Sequence, residues 1–397
     1  MEMDDRNGLN VSEQVGPRYA VTETTNGVAD LTSGVQGSVF GSEQFKVNKT
    51  FGSSMGWADF VKIRDIGAAR ESEAIKNAAI NLAEKIDKYV MNTVVLGTNN
   101  WVGTAGAAID SYDDFVAGYT RLKEEGVDDS DLRGVLTYGD RQALGTFVVA
   151  LPAPDGMATG TFRKGFDGAI AGIPTLFTQQ IPTLTVGSRT ASASVTNAGA
   201  ANNVNYADVA ISAAPGQYMS QLLPMNITTA QTLKAGDVFT IDNVNAWDNR
   251  AGQSLGRLQQ FTVLADVTAA ASTASPRIFP AIIVPGTGTG DNVNINTAHA
   301  TVDSVPADTA AITFIGTAST PYKARAIIQK QALVVNTADL IMPATGIGTR
   351  KALTKVPLSV RMWQNSTFAT GDHQVRFDVA LTANWRDRRR AVRLNGA

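Results

Sequence analysis

No cysteine occurs in the 397 residues, and histidine occurs only twice, at His299 and His373. Without thiols there is no disulfide, no cysteine nucleophile and no thiolate metal site. Two histidines far apart in sequence do not make a zinc or iron cage. No apolar run approaches the ~20 residues that a membrane-spanning helix needs, so no membrane partner is expected. A net charge of −2 gives no overall positive field to recruit polyanions. The opening MEMDDRNGLN is acidic and polar, unlike a secretory signal. Neither a cofactor nor a metal is expected.

Apolar residues make up 44% of the chain and charged residues 18%, enough for globular folding into two or three domains. The sharpest feature is a break in composition from about Thr183 to Gly316, bracketed by Pro182 and Pro321. Residues 183–233 hold only Arg189 and Asp208 as charges, among Thr, Ala, Ser, Asn and Gly. Within the break, LKAGDVFTIDNVNAW, LQQFTVLADVTA, RIFPAIIV and AAITFIG read as strands separated by turn signals, which suggests a small barrel or sandwich.

Outside the insert the patterning changes. Residues 1–17 read as a polar arm and 18–66 as short strands of a long β-hairpin, with Phe45, Val47 and Lys49 on one face. Residues 70–95 are the clearest helix, with Ile75, Ala78, Ala79, Leu82, Ile86, Tyr89 and Val90 in one stripe. Ser111 with Asp114 nearly completes a capping box for a second helix that stops at Gly126. VLTY reads as a buried strand, and Asp140 as the cap of a third helix. Strands are expected near 332–335, over 356–362 and over 374–385.

Motifs that carry chemistry are weak. GSSMG at 52–56 fits a nucleophile elbow centred on Ser54, but no histidine stands in a triad setting, so a hairpin turn is expected there. PGTGTGDN at 285–292 lacks the following helix that a phosphate loop requires. Asp128, Asp129 and Asp131 lack calcium-loop spacing and read as a solvated turn. In WRDRRRAVRLNG, by contrast, Arg386, Arg388, Arg389, Arg390 and Arg393 crowd together. Their forks suit carboxylates on neighbouring subunits better than phosphates of nucleic acid; the bland alternative is a solvated tail.

Several stretches together resemble the major capsid proteins of tailed double-stranded DNA phages, with the Hong Kong 97-type fold. They are EQFKVNKTFGSSMGWADFVKIRDI, KNAAINLAEKI, GFDGAIAGIPTLFTQQIPTLTVG, LKAGDVFTIDNVNAW with LQQFTVLADV, and FATGDHQVRFDVALTANWRDRRRAVRL. The match is to the branch carrying an inserted β-barrel, as in short-tailed Salmonella phages. The resemblance implies an α+β fold with an arm at 1–17, an extended loop at 18–65 and a spine helix with the peripheral domain at 66–104. It places an axial domain at 105–182, an insertion β-domain at 183–321, and the second axial part with closing strands at 322–397. The arm, at about seventeen residues, is shorter than is usual in the family.

The resemblance further implies pentamers and hexamers in an icosahedral shell around non-specifically held double-stranded DNA, assembled in a host cytoplasm. A scaffolding protein and a portal protein would be partners. Phe45, Trp57 and Asp59 join the five arginines as candidates for contact between subunits. A secreted or surface-layer carbohydrate-binding β-protein is the competing expectation, and a hydrolase using Ser54 a third.

Overall fold

The computed structural model describes residues 2–3, 10–15, 41–58, 67–150, 169–189, 193–196, 219–286, 299–342, 347–352, 358–367 and 372–396. Two compact units emerge. The first comprises Met1–Ser12, Gln44–Thr93 and Val334–Asn384; the second comprises Glu13–Glu43, Val94–Leu333 and Trp385–Ala397.

The first unit holds most of the long helix α1, Gly67–Gly97, two turns' worth of residues at most beyond the expected span. Ala78 is buried and Ile75, Leu82, Ile86, Tyr89 and Val90 are half-buried, whereas Ala79 turns outward. A sheet is organised around the strand Asp372–Trp385, which pairs antiparallel with Thr50–Ala58 and with Ser359–Thr367. Ile347–Ala352 extends the sheet beyond Ser359–Thr367. Phe51 lies 5.2 Å from Tyr89 and the Lys49 ammonium sits over the same ring at 4.4 Å, tying strand to helix.

Two expectations change here. Residues 18–40 and 59–65 of the expected hairpin lie outside the described residues. Its Phe45–Lys49 portion is no continuous strand: Gly41–Lys46 and Thr50–Ala58 are separate, because Asn48 turns to bond Thr382 through its N–H and side chain. GSSMG is not a turn but the interior of Thr50–Ala58. Gly52 faces Asp378 across the sheet, and a Cβ there would stand 2.6 Å from the Asp378 carboxylate, so glycine makes room for a buried acid. That acid is held by Arg361 at 2.5 Å and Arg376 at 2.6 Å.

The second unit is built on a six-stranded sheet. Its order is Asn100–Val102, Ala391–Leu394, Arg325–Gln329, Leu132–Leu136, Ile173–Phe177 and Ala169–Ile170. Helices α2 (Tyr112–Glu124) and α3 (Tyr138–Ala150) accompany it. Phe115, Leu122, Leu144, Ile327, Val392 and Leu394 share one core. Ser111 and Asp114 form a complete capping box on α2, Asp serving where Glu is usual. On α3 the cap is Thr137, not Asp140: the Thr137 hydroxyl accepts from the Asp140 N–H, and the Asp140 carboxylate accepts from the Thr137 N–H at 2.9 Å. Arg325 reaches the same carboxylate at 2.6 Å, a buried pair further bonded to Ile109 N and Ala107 O.

The insert closes on itself. The stretch 221–226 pairs with 273–278, each broken once by a proline, Pro224 and Pro276, which has no N–H to give. From there pairing runs through Gln253–Val263, Val238–Asp248, Ala311–Phe314 and Ala193–Val195, and returns to Met225–Asn226. The ring is a six-stranded antiparallel barrel. Phe239, Phe261, Met225, Leu223 and Ile278 fill it, with Phe239 stacked 5.7 Å from Phe261 and edge-on at 5.6 Å to Phe314.

Replacing Phe239 with alanine removes this central ring contact and should cost about 3–5 kcal/mol. Urea unfolding followed by far-UV circular dichroism checks it; an unchanged midpoint would contradict the packing described.

Candidate functional site

The ring of paired strands uses most of the barrel's backbone groups, and apart from its two ends no backbone–backbone bond among the described residues joins the insert to the host. The insert must therefore be attached by its stem and by side chains. The stem is the antiparallel pair Thr183–Thr185 with Pro321–Lys323, which brings the two ends of the insert together. Above it Leu184, Val186, Val238 and Tyr322 pack with Val95 and Trp101, and the Trp101 and Tyr322 rings meet nearly perpendicular at 6.4 Å.

Gln260, on the barrel strand Gln253–Val263, makes the main polar contact with the host sheet. Its Nε2 donates to Trp101 O at 2.9 Å and its Oε1 accepts from Trp101 N at 2.8 Å. Asn100–Val102 is the outermost strand of the host sheet. The glutamine amide thus pairs with this edge as a further strand's peptide group would. Asn99 returns the contact, its Nδ2 donating to Gln260 O at 3.2 Å.

Charge is buried in the same seam. Arg393 is 1% exposed; its guanidinium donates to Gly236 O at 2.6 Å, Thr98 O at 2.7 Å and Thr262 Oγ1 at 3.3 Å, and lies 5.4 Å from the Trp101 ring. Burial pulls its pKa down to about 9, the Asp237 carboxylate working the other way. Arg189 donates to Ile315 O at 2.5 Å and sits 4.7 Å from the Phe314 ring. Asp237 accepts from Gly187 N and Lys234 N; burial nonetheless pushes its carboxyl above the ordinary value. Toward the rim, Arg257 bridges Glu124 at 2.7 Å and Glu125 at 2.9 Å, and Arg250 bonds Gly126 O. Burial, helped by the like charge of Arg257, lowers the neighbouring Arg121 to about 10.

The residues proposed from sequence for contact between subunits divide. Arg393 and Phe45 are corrected: both are enclosed by their own chain, Phe45 at 0% exposure, and offer no surface to a neighbour. The arginine-rich end is likewise no solvated tail, since Ala391–Leu394 is an inner strand of the six-stranded sheet. Arg386 is exposed. Arg388 bonds Gly97 O at 3.4 Å and lies 5.6 Å from the Trp385 and Phe279 rings. Arg389 and Arg390 share Asp387 at 3.2 and 3.4 Å, and Arg390 also bonds Gln329 at 2.7 Å and Gln331 at 2.9 Å. Trp57 stands on Thr50–Ala58 in register with His373; Asp59 lies outside the described residues. Sequence reasoning missed Gln260, Asn99 and Arg257, which carry no motif. Arg189 was legible as an isolated charge in a tract of small residues.

Ser54 is set mid-strand opposite Arg376, not on a strand-to-helix turn. Asp129 accepts from Tyr119 and pairs with Lys123. Most of PGTGTGDN lies outside the described residues. No cluster of three or more metal-ligating side chains occurs among the described residues.

Residues 12–391 match the family described as P22 coat protein, gene protein 5. No curated protein sequence matches the chain. Among solved structures it is similar to the Mycobacterium phage Che8 chain (9% identity, TM-score 0.47, 98% of this chain and 86% of that one). It is similar to the capsid of Ralstonia phage GP4 (8% identity, TM-score 0.43, 98% and 82%). The CUS-3 coat protein I-domain aligns over 32% of this chain and 98% of that one, at 25% identity and TM-score 0.23.

Two outcomes test these contacts. Gln260→Leu strands both backbone groups of Trp101 and should cost about 1–3 kcal/mol for each group left unpaired, read as a drop in the urea midpoint. Asp387 supplies the pH dependence. Burial opposes its charge, but Arg389, with its side chain and N–H, and Arg390 outweigh that and hold the carboxyl below its ordinary 3.8. A depressed folded pKa stabilises above 3.8 and loses that stabilisation as pH falls through the folded value. Asp387→Asn should therefore flatten part of the acid limb of a stability–pH curve while leaving its shape above pH ~5 unchanged.

Proposed function

This chain belongs to the P22 coat protein family, and from that premise we propose how one subunit serves its shell. It is a major capsid protein with a Hong Kong 97-like fold and an inserted barrel, and copies of it form the icosahedral shell of a bacteriophage virion. The family does not support the sugar-binding alternative.

Beyond this, the shell is built of pentamers and hexamers around double-stranded DNA held without sequence preference, and it assembles in the host cytoplasm with a scaffolding protein and a portal. The chain works as a structural element and not as an enzyme. Residues 18–65 are the extended loop, 66–104 the spine helix and peripheral domain, 105–182 with 322–397 the axial domain and closing strands, and 183–321 the insertion domain. The pairing of Thr183–Thr185 with Pro321–Lys323 supports those last boundaries. The observation that carries the whole reading is the family match over 12–391.

Arg386, with Arg388, Arg389 and Arg390 beside it, faces carboxylates on adjoining subunits. Heterologous contacts of that kind close into rings. Trp57 and Asp59 serve the same purpose from the extended loop.

Negative-stain microscopy of the expressed protein, alone and with its scaffold, should show uniform closed shells; a monodisperse monomer under every condition would overturn the reading. Arg386→Glu combined with Arg389→Glu should cut shell yield several-fold without altering the circular dichroism of the subunit. Undiminished yield would remove these arginines from the interface.

A further inference from the structure

The last strand of the chain sits in a slot made almost wholly by residues far from it in sequence. Ala391–Leu394 pairs parallel with Asn100–Val102 on one side and antiparallel with Arg325–Gln329 on the other. Beyond it, Asn395 N donates to Val102 O at 2.9 Å, Gly396 N to Ala107 O at 3.3 Å, and Thr104 N to Gly396 O at 2.7 Å. The hydroxyl of Thr98 donates to Ala391 O at 2.7 Å.

Its side chains alternate as a strand between two layers must. Val392 and Leu394 enter the core of the host sheet with Phe115 and Ile327. Arg393 points to the other layer and bonds the barrel turn at Gly236 O and the barrel strand at Thr262. The slot is shaped to fit tightly. A Cβ on Gly118 would stand 2.1 Å from a Leu394 methyl, and one on Gly103, whose φ is +86°, would stand 2.0 Å from Asn395 O.

The order of the chain makes this arrangement unusual. Asp372–Asn384 belongs to the first unit and Trp385–Ala397 to the second. The host sheet and the barrel mooring therefore stay incomplete until every residue of 334–384, which belongs to the other unit, has been made. What closes them behaves chemically as an extended peptide ligand, bound by strand addition, that sends one of its four arginines, Arg393, to the barrel.

We infer that residues 387–397 are such a ligand, supplied by the chain itself: a separable strand that docks after the barrel and host sheet have formed, and whose docking makes the subunit competent to join a shell. The competence clause rests on the coat-protein reading; the binding clause does not. The turn before the strand is the place to cut, since Arg386 is exposed and Asp387 begins the short helical turn leading into the strand.

The test uses the full chain with a specific protease site inserted between Arg386 and Asp387. After cleavage, the segment should stay bound through gel filtration and exchange with a fluorescent synthetic peptide of residues 387–397 in a saturable way. The same peptide carrying Arg393→Glu should bind about tenfold to a hundredfold more weakly. Cut subunits washed free of the segment should not form shells, and adding the peptide back should restore them. If the washed subunits form shells as well as uncut ones, the competence clause is overturned. If they bind peptide but shells return with neither peptide nor intact chain, the coat-protein reading fails and the slot stands.

Should the cut chain unfold outright, hydrogen exchange on the uncut protein decides. Amides of Ala391–Leu394 should open more readily than those of Phe239 and Phe261 in the barrel. Exchange of both groups only through one shared global opening would overturn separability.

Discussion

Closure of the barrel governs much of how the second unit is held together. Once six strands pair in a ring, most of the barrel's backbone groups are used, and apart from the stem no backbone–backbone bond among the described residues joins the insert to its host. The join must be made by an apolar stem and by side chains that reach backbone. Gln260 does so from the barrel, Asn99 from the host, and Arg393 from the far end of the chain. Gln260 also resolves a second difficulty, since the outer edge of Asn100–Val102 would otherwise be an unpaired strand edge buried against the barrel.

The seam gains specificity from groups that are costly to bury. The bonds that Arg393 and Arg189 make run mainly to carbonyl oxygens, and the charge of Asp237 acts on both. Hydrogen bonds depend on distance and angle where apolar contact does not, so such bonds fix register more strictly. At the rim, where water competes, the Arg257 pairs with Glu124 and Glu125 contribute less each and act more as guides. A subunit that joins many identical neighbours needs its inserted module held in one orientation, and this division of labour provides it.

Much of this was legible in the sequence where bulky residues alternate. GDVFTIDNV and LQQFTV announced the central hairpin of the barrel, and the spacing of Ile75, Leu82 and Ile86 announced the long helix. The strand Ala193–Val195 and the stretch Thr273–Ala274 were not legible, because small residues in a Thr/Ala tract carry no periodic signal. The end of the chain misled for an electrostatic reason. Five arginines hide the pattern of Ala391, Val392 and Leu394, so an inner strand resembles a tail. Gln260 could not be found at all: an amide that substitutes for a peptide group is recognisable only once the edge it completes is known.

The most direct measurement is a cryo-electron microscopy map of assembled shells at side-chain detail. Each barrel should rest on the host sheet of its own chain, with Gln260 against Trp101 and Arg393 enclosed between them. Barrels seated on the sheet of a neighbouring subunit, or standing clear of any sheet, would contradict the account of how this coat protein holds its insert.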